Sequence, residues 1–123
     1  MVVKKIKFYR ENSGDSPVED FLDSLASKDA QKILWVLKLI EEQSIVPTSF
    51  LKKLVNTDDI WEVRATLGSN SYRILGFMWD SEFVVLTNGF SKKTQKVPRK
   101  EIELAERRKK KYIGGIPRQV RRL

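Results

Sequence analysis

The sequence predicts an α+β fold: a small, mostly antiparallel sheet with a helical hairpin on one face and a C-terminal helix, in the order β-α-α-β-β-β-α. Three observations predict it. Between Pro17 and Glu42, apolar residues recur at helical spacing in two adjacent segments. After Pro47 the period changes to three short runs rich in β-branched and aromatic residues, separated by turn residues. A final helical period starts near Pro98 and stops at Gly114-Gly115. With 123 residues, 41% hydrophobic and 10% aromatic, the chain can build one domain with a core. That domain is expected over residues 1–113, followed by a basic C-terminal tail over 114–123.

The elements follow in order. Val2–Tyr9 alternates apolar residues with lysines, the pattern of a short edge strand. ENSGDSP, residues 11–17, is a turn that leads into a helix: Ser16 can cap, Pro17 suits the first helical position, and Glu19 can close a capping box. Val18, Phe21, Leu22 and Leu25 form its apolar face. Ser27 is the expected cap of the second helix, with Asp29 in its first turn and Ile33, Leu34, Val36, Leu37 and Ile40 on its buried side. Pro47 lies beyond its end. Strands are expected over 60–67, 72–79 and 83–90, and the third helix from Pro98 toward Tyr112. Short connections suggest a meander with the helices packed on one face.

Strand parity then groups the charges. A four-residue loop over 68–71 pairs Leu67 with Tyr72 and makes Arg64 and Arg73 diagonal neighbours on one face. Pairing Met78 with Phe83 sets Arg73 opposite Asn88, with Phe90 and Lys92 continuing the same side. The expected face thus carries Arg64, Arg73 and Asn88, with Lys92 at its rim. A one-residue slip would scatter the set. The competing reading of two mid-strand arginines is ion pairing, with Glu62 for Arg64 and Asp80 for Arg73.

Composition narrows the chemistry. The absence of Cys excludes disulfides, thiolate zinc sites, iron–sulfur clusters and a cysteine nucleophile, and the absence of His excludes a Ser/His/Asp triad. The net charge of +8 sits at one end: residues 1–106 balance at 16 basic and 16 acidic groups, whereas 107–123 hold 8 basic groups and no acidic ones. This points either to a polyanionic partner or to a solubilising basic tail. The N-terminus has no stretch suited to a signal peptide, and no run approaches a membrane span, so a cytoplasmic protein with no membrane partner is expected.

Four segments carry a family resemblance: Trp61-Glu62-Val63-Arg64, Tyr72-Arg73-Ile74-Leu75, Gly89-Phe90-Ser91-Lys92-Lys93-Thr94-Gln95-Lys96-Val97-Pro98 and Glu101-Ile102-Glu103-Leu104-Ala105. In this order they resemble the RelE/ParE toxin superfamily, and within it the phage-derived, HigB-like toxins of type II toxin–antitoxin modules. The resemblance implies a RelE-like fold and a ribosome-dependent mRNA interferase. Such an enzyme cuts RNA by attack of a ribose 2′-OH on the adjacent phosphorus, with no metal or cofactor. Implied partners are mRNA, the ribosome and a cognate antitoxin, commonly a helix-turn-helix, HigA-like protein through which alone operator DNA is bound. Some relatives place His in the site, and those positions do not carry over to this chain.

The residues permit such a mechanism without imidazole. Lysine serves as a base only if its pKa falls well below about 10.4, and neighbouring cations lower it. Lys92 beside Lys93, near Arg64 and Arg73, is such a setting, with the choice of base between lysines left open. Arg64 and Arg73 suit phosphate clamping and transition-state stabilisation, and Arg73 or a second lysine is the candidate to assist the leaving 5′ oxygen. Phe90 is a candidate for stacking on a base, as well as for the core, and Tyr112 is a second stacking candidate. Asn88 is a further candidate RNA contact. Lys52, Lys53, Lys96 and the 107–111 run, including Lys109, are candidates for holding RNA phosphates, and each lysine is also a candidate for ordinary solvation. Two other readings share the charge pattern: a ParE-like inhibitor of DNA gyrase, and a non-catalytic nucleic-acid-binding module.

Overall fold

The sheet of the computed structural model has five strands in the order β1-β5-β4-β3-β2, and residues 4–93 and 96–116 are described. The elements are β1 (Lys5–Phe8), α1 (Pro17–Asp23), α2 (Ser27–Glu42), β2 (Leu51–Lys53), β3 (Trp61–Leu67), β4 (Asn70–Trp79), β5 (Phe83–Ser91) and α3 (Arg99–Gly114). The fold class is therefore the expected α+β, and β1 pairs parallel with β5 in an otherwise antiparallel sheet. Residues 1–3, which include Val2 and Val3 of the expected first strand, residues 94–95 and residues 117–123 of the expected tail lie outside the described residues. Among the described residues no helix is long and apolar enough to cross a membrane.

The helical hairpin forms as its apolar spacing dictates, with differences at its ends. Ser16 caps α1 by accepting from the Glu19 amide at 3.3 Å, and Pro17 opens the helix. Glu19 does not close a capping box; its carboxylate pairs with Arg10 at 3.0 Å. Ser27 is the first residue of α2 rather than its cap, which is Ala26 and offers no side-chain bond. Asp29 instead ties α2 to the sheet, accepting from the Tyr72 hydroxyl and from Asn70 Nδ2. Ile33, Val36, Leu37 and Ile40 of α2 pack with Val18 and Leu22 of α1 on Val63, Ile74, Val84 and Leu86 of the sheet.

The third helix lies on the other face. Ala105 of α3 packs on Ile60 and Leu75, and Tyr112 joins Tyr9, Phe77 and Val85. Strand alternation puts Leu75 and Phe77 on the side opposite Ile74, so α3 and the hairpin sandwich the sheet and are not on one face as expected. The physical reason is that β4 is buried on both sides from Tyr72 to Phe77, with Tyr72 and Ile74 on one side and Leu75 and Phe77 on the other, and each side needs a cover. β2 was not anticipated because three residues carry no readable alternation.

Both hairpins are tighter than expected. Leu67 pairs with Asn70 around Gly68-Ser69, where Gly68 takes the left-handed φ of +61° that a two-residue turn favours. Trp79 pairs with Phe83 around residues 80–82. A register shift then occurs between Leu75 and Gly76, leaving Thr87 of β5 as an extra, unpaired residue. The bulge is satisfied by its surroundings. The Thr87 hydroxyl reaches Asn88 Oδ1 at 2.6 Å, and Arg108 Nη1 of α3 donates to the Thr87 carbonyl at 2.9 Å. At this point β4 and β5 approach so closely that a Cβ on Gly76 would lie 2.3 Å from the Val85 carbonyl oxygen. Gly76→Ala is therefore expected to cost upwards of about 2 kcal/mol in urea unfolding, because backbone must move to accept the methyl group.

Candidate active site

The two shorter turns change the register without breaking the parity. Arg64 and Arg73 are directly opposite each other on β3 and β4 rather than diagonal. Arg73 faces Phe90 rather than Asn88, because the shorter β4–β5 turn and the bulge each advance β5 by one residue. The first hairpin is displaced by an even number of residues, so both arginines remain on the α3 side of the sheet.

Two guanidinium groups directly opposite one another repel unless an anion intervenes. Glu62 supplies it. It lies two residues before Arg64, hence on the same face, and its carboxylate is within 3.4 Å of Arg64 Nε and 3.3 Å of Arg73 Nε. The expected pairing of Arg64 with Glu62 is found, but Arg73 shares that same carboxylate and does not pair with Asp80. The arrangement is graded in depth. Glu62 and Arg73 are buried, at 3% and 6% exposure, whereas the Arg64 side chain is one-third exposed. Arg73 Nη1 also donates to the Tyr72 carbonyl at 3.0 Å. Burial lowers the Arg73 pKa from its usual value, Glu62 raises it and Arg64 lowers it, and the group stays cationic.

Lys92 completes the cluster. It follows β5 directly, and its amide donates to the Ser71 carbonyl at 2.8 Å, extending the strand pairing by one bond. Its pKa is lowered, first by burial and then by Arg73, with Arg64 and Lys52 acting in the same direction and Glu62 opposing them. Burial outranks the neighbouring cations that the sequence suggested as the cause. Lys52 enters this field because it faces Glu62 across β2 and β3. Lys93 is exposed, and with Lys92 it lines a polar pocket at the end of the sheet.

The other candidates divide. Phe90 is partly buried and packs with Ile60, Leu75 and Ala105, forming a wall beside Arg73. Asn88 is on the same sheet face but spends its amide inside, donating to the Glu101 carboxylate at 3.0 Å and anchoring the first turn of α3. Lys53 is turned to Asp59 at 2.8 Å. Lys109 donates to the Asp58 carbonyl at 2.6 Å and so clamps the loop before β3. Tyr112 stacks edge-on against Phe77 with ring centroids 5.5 Å apart, four residues along β4 from Arg73. Lys96 is exposed. Arg108, within the basic run, is occupied by Thr87 and by Glu11 at 3.2 Å, which leaves Arg107, Lys110 and Lys111 exposed on α3. Glu62 is the residue that sequence reasoning undervalued, although its spacing two residues before Arg64 on a strand already put both on one face.

A two-faced sheet with a helical hairpin, a C-terminal helix and a cation cluster beside β5 defines a small α+β protein of RelE-like build. The family model for the phage-derived protein Gp49-like (DUF891) matches residues 20–110, and the chain belongs to this family, which is associated with RelE-like toxins of toxin–antitoxin modules. The matched span contains Glu62, Arg64, Arg73 and Lys92. No curated protein matches the chain.

Proposed function

We propose that the protein is the HigB-like toxin of a type II module and acts as a ribosome-dependent mRNA interferase. The observation that carries this reading is the convergence of Arg64 and Arg73 on one buried carboxylate, with Lys92 following β5 on the same sheet face and its pKa lowered by burial and by these cations. In this mechanism neutral Lys92 takes the proton of a ribose 2′-OH. The oxygen attacks the adjacent phosphorus as the bond to the 5′ oxygen breaks, giving a 2′,3′-cyclic phosphate and a 5′-OH. Arg64, the more exposed guanidinium, clamps the phosphate and neutralises charge that develops on it. Arg73 acts from beneath by holding Glu62 and disfavouring protonated Lys92. Lys93 supplies the proton for the leaving 5′ oxygen.

Arg64 and Lys92 offer only part of a substrate cleft, and orientation of the mRNA falls to the ribosome. Exposed cations on α3 and β2 suit ribosomal RNA phosphates, with binding that weakens as salt rises. The cognate antitoxin, of HigA-like helix-turn-helix type, relieves the toxicity and carries the operator contact.

The test is induced expression with primer extension on a translated reporter mRNA. Wild type is expected to give discrete stops within codons, and Arg64→Ala to reduce them by about 10²–10³-fold. Arg64 is the informative position because Glu62 keeps Arg73 as its partner in that variant. Arrest with an SOS response and intact mRNA would instead identify a gyrase inhibitor. RNA binding without arrest would identify a non-catalytic module.

A further inference from the structure

Beyond the cation cluster, the tip of the β3–β4 hairpin and the end of β5 enclose a pocket of about 330 Å³ lined by Ser69, Asn70, Ser71, Tyr72, Ser91, Lys92 and Lys93. Apart from Asn70 and Tyr72, its lining presents three serine hydroxyls and two ammonium groups. Among the described residues none of these five side chains makes a hydrogen bond or ion pair. The one carboxylate nearby, that of Asp29, is already occupied by Tyr72 and Asn70. Donors gathered around a concavity, with no carboxylate of their own to satisfy them, suit a tetrahedral oxyanion.

We infer that this pocket is a phosphate subsite for single-stranded RNA, holding the phosphate next to the one that is cut. The inference rests on the interferase reading, because Lys92 belongs to both the pocket and the cation cluster. A strand bound there is held on both sides of Lys92, which restrains the attacking ribose for in-line displacement. Ser69 and Ser71 thereby become specificity elements for backbone rather than base, and sequence preference is left to other contacts.

The probe is a 2′-O-methyl dinucleotide, which cannot be cleaved, carrying either a 5′-phosphate or a 5′-hydroxyl and titrated into the ¹⁵N-labelled full-length chain. The 5′-phosphorylated form is expected to shift the amides of Ser69, Ser71, Ser91 and Lys92, and to bind about tenfold tighter than the 5′-hydroxyl form. A Ser71→Ala/Ser91→Ala variant loses that preference, whereas Lys38→Ala, an exposed position near the C-terminal end of α2 paired with Glu42, keeps it. Equal binding of the two dinucleotides, shifts confined to α3, or stronger shifts of the same amides by an acidic peptide would overturn the subsite. Intact phosphate preference in a protein that cuts no mRNA in cells would uphold the subsite and defeat the interferase reading.

Discussion

Lys92→Met is expected to lower mRNA cleavage on programmed ribosomes by about 10²–10⁴-fold, the range for losing a general base, with no fall in the thermal midpoint. The fold tolerates the change because Lys92 follows β5 and contributes a backbone bond to Ser71 that any non-proline residue can make. A desolvated ammonium among like charges is also no asset to stability. Lys92→Arg separates base from clamp: it keeps the cation but cannot shed a proton, so cleavage should fall as far as in the Met variant. Recovery of near-normal cleavage in Lys92→Arg would assign the residue to phosphate binding instead. The pH dependence follows from the direction of the shift. A base must be neutral, so the single-turnover rate should rise with pH and level off once pH passes the lowered Lys92 pKa. Removing Arg64, one of the cations that lower it, should move the rise to higher pH.

Glu62→Leu is expected to destabilise the protein by about 3–5 kcal/mol in urea unfolding, the cost of stripping the partner from a buried charge. The cation left behind is Arg73, at 6% exposure with no other carboxylate within ion-pair reach among the described residues. Asp80→Asn is the control, because Asp80 is in the exposed β4–β5 turn, and its effect should stay within about 0.5 kcal/mol. Glu62→Gln keeps the shape and removes the charge. Since Glu62 raises the Lys92 pKa against the other influences, this variant should shift the pH–rate rise to lower pH even as stability falls. A shift to higher pH would show that Glu62 does not face Lys92 electrostatically.

The legible part of the site was parity. Arg64 and Arg73 share a face whether the first turn has four residues or two, because a displacement by an even number of residues preserves the side of the sheet. Asn88 and Phe90 remain on that face for a different reason: the bulge at Thr87 absorbs the one-residue difference in the second hairpin. Nothing local announces that bulge. Its carbonyl is satisfied by Arg108 from a helix 21 residues away in sequence, a contact that exists only once α3 has docked. The same docking commits Asn88 to Glu101 and Lys109 to Asp58, so residues that the sequence offered equally to RNA are used to hold the fold.

Two helices, four of the five strands, the third helix and the common face of the arginines were thus determined by the sequence alone, because each follows from a period of two or of 3.6 residues and its end signals. The side on which α3 packs, the sharing of one carboxylate by two arginines and the burial that lowers the Lys92 pKa were decided by tertiary structure. Periodicity assigns a side chain to a face. Depth, and with it the strength of every charge on that face, depends on what the rest of the chain lays over it.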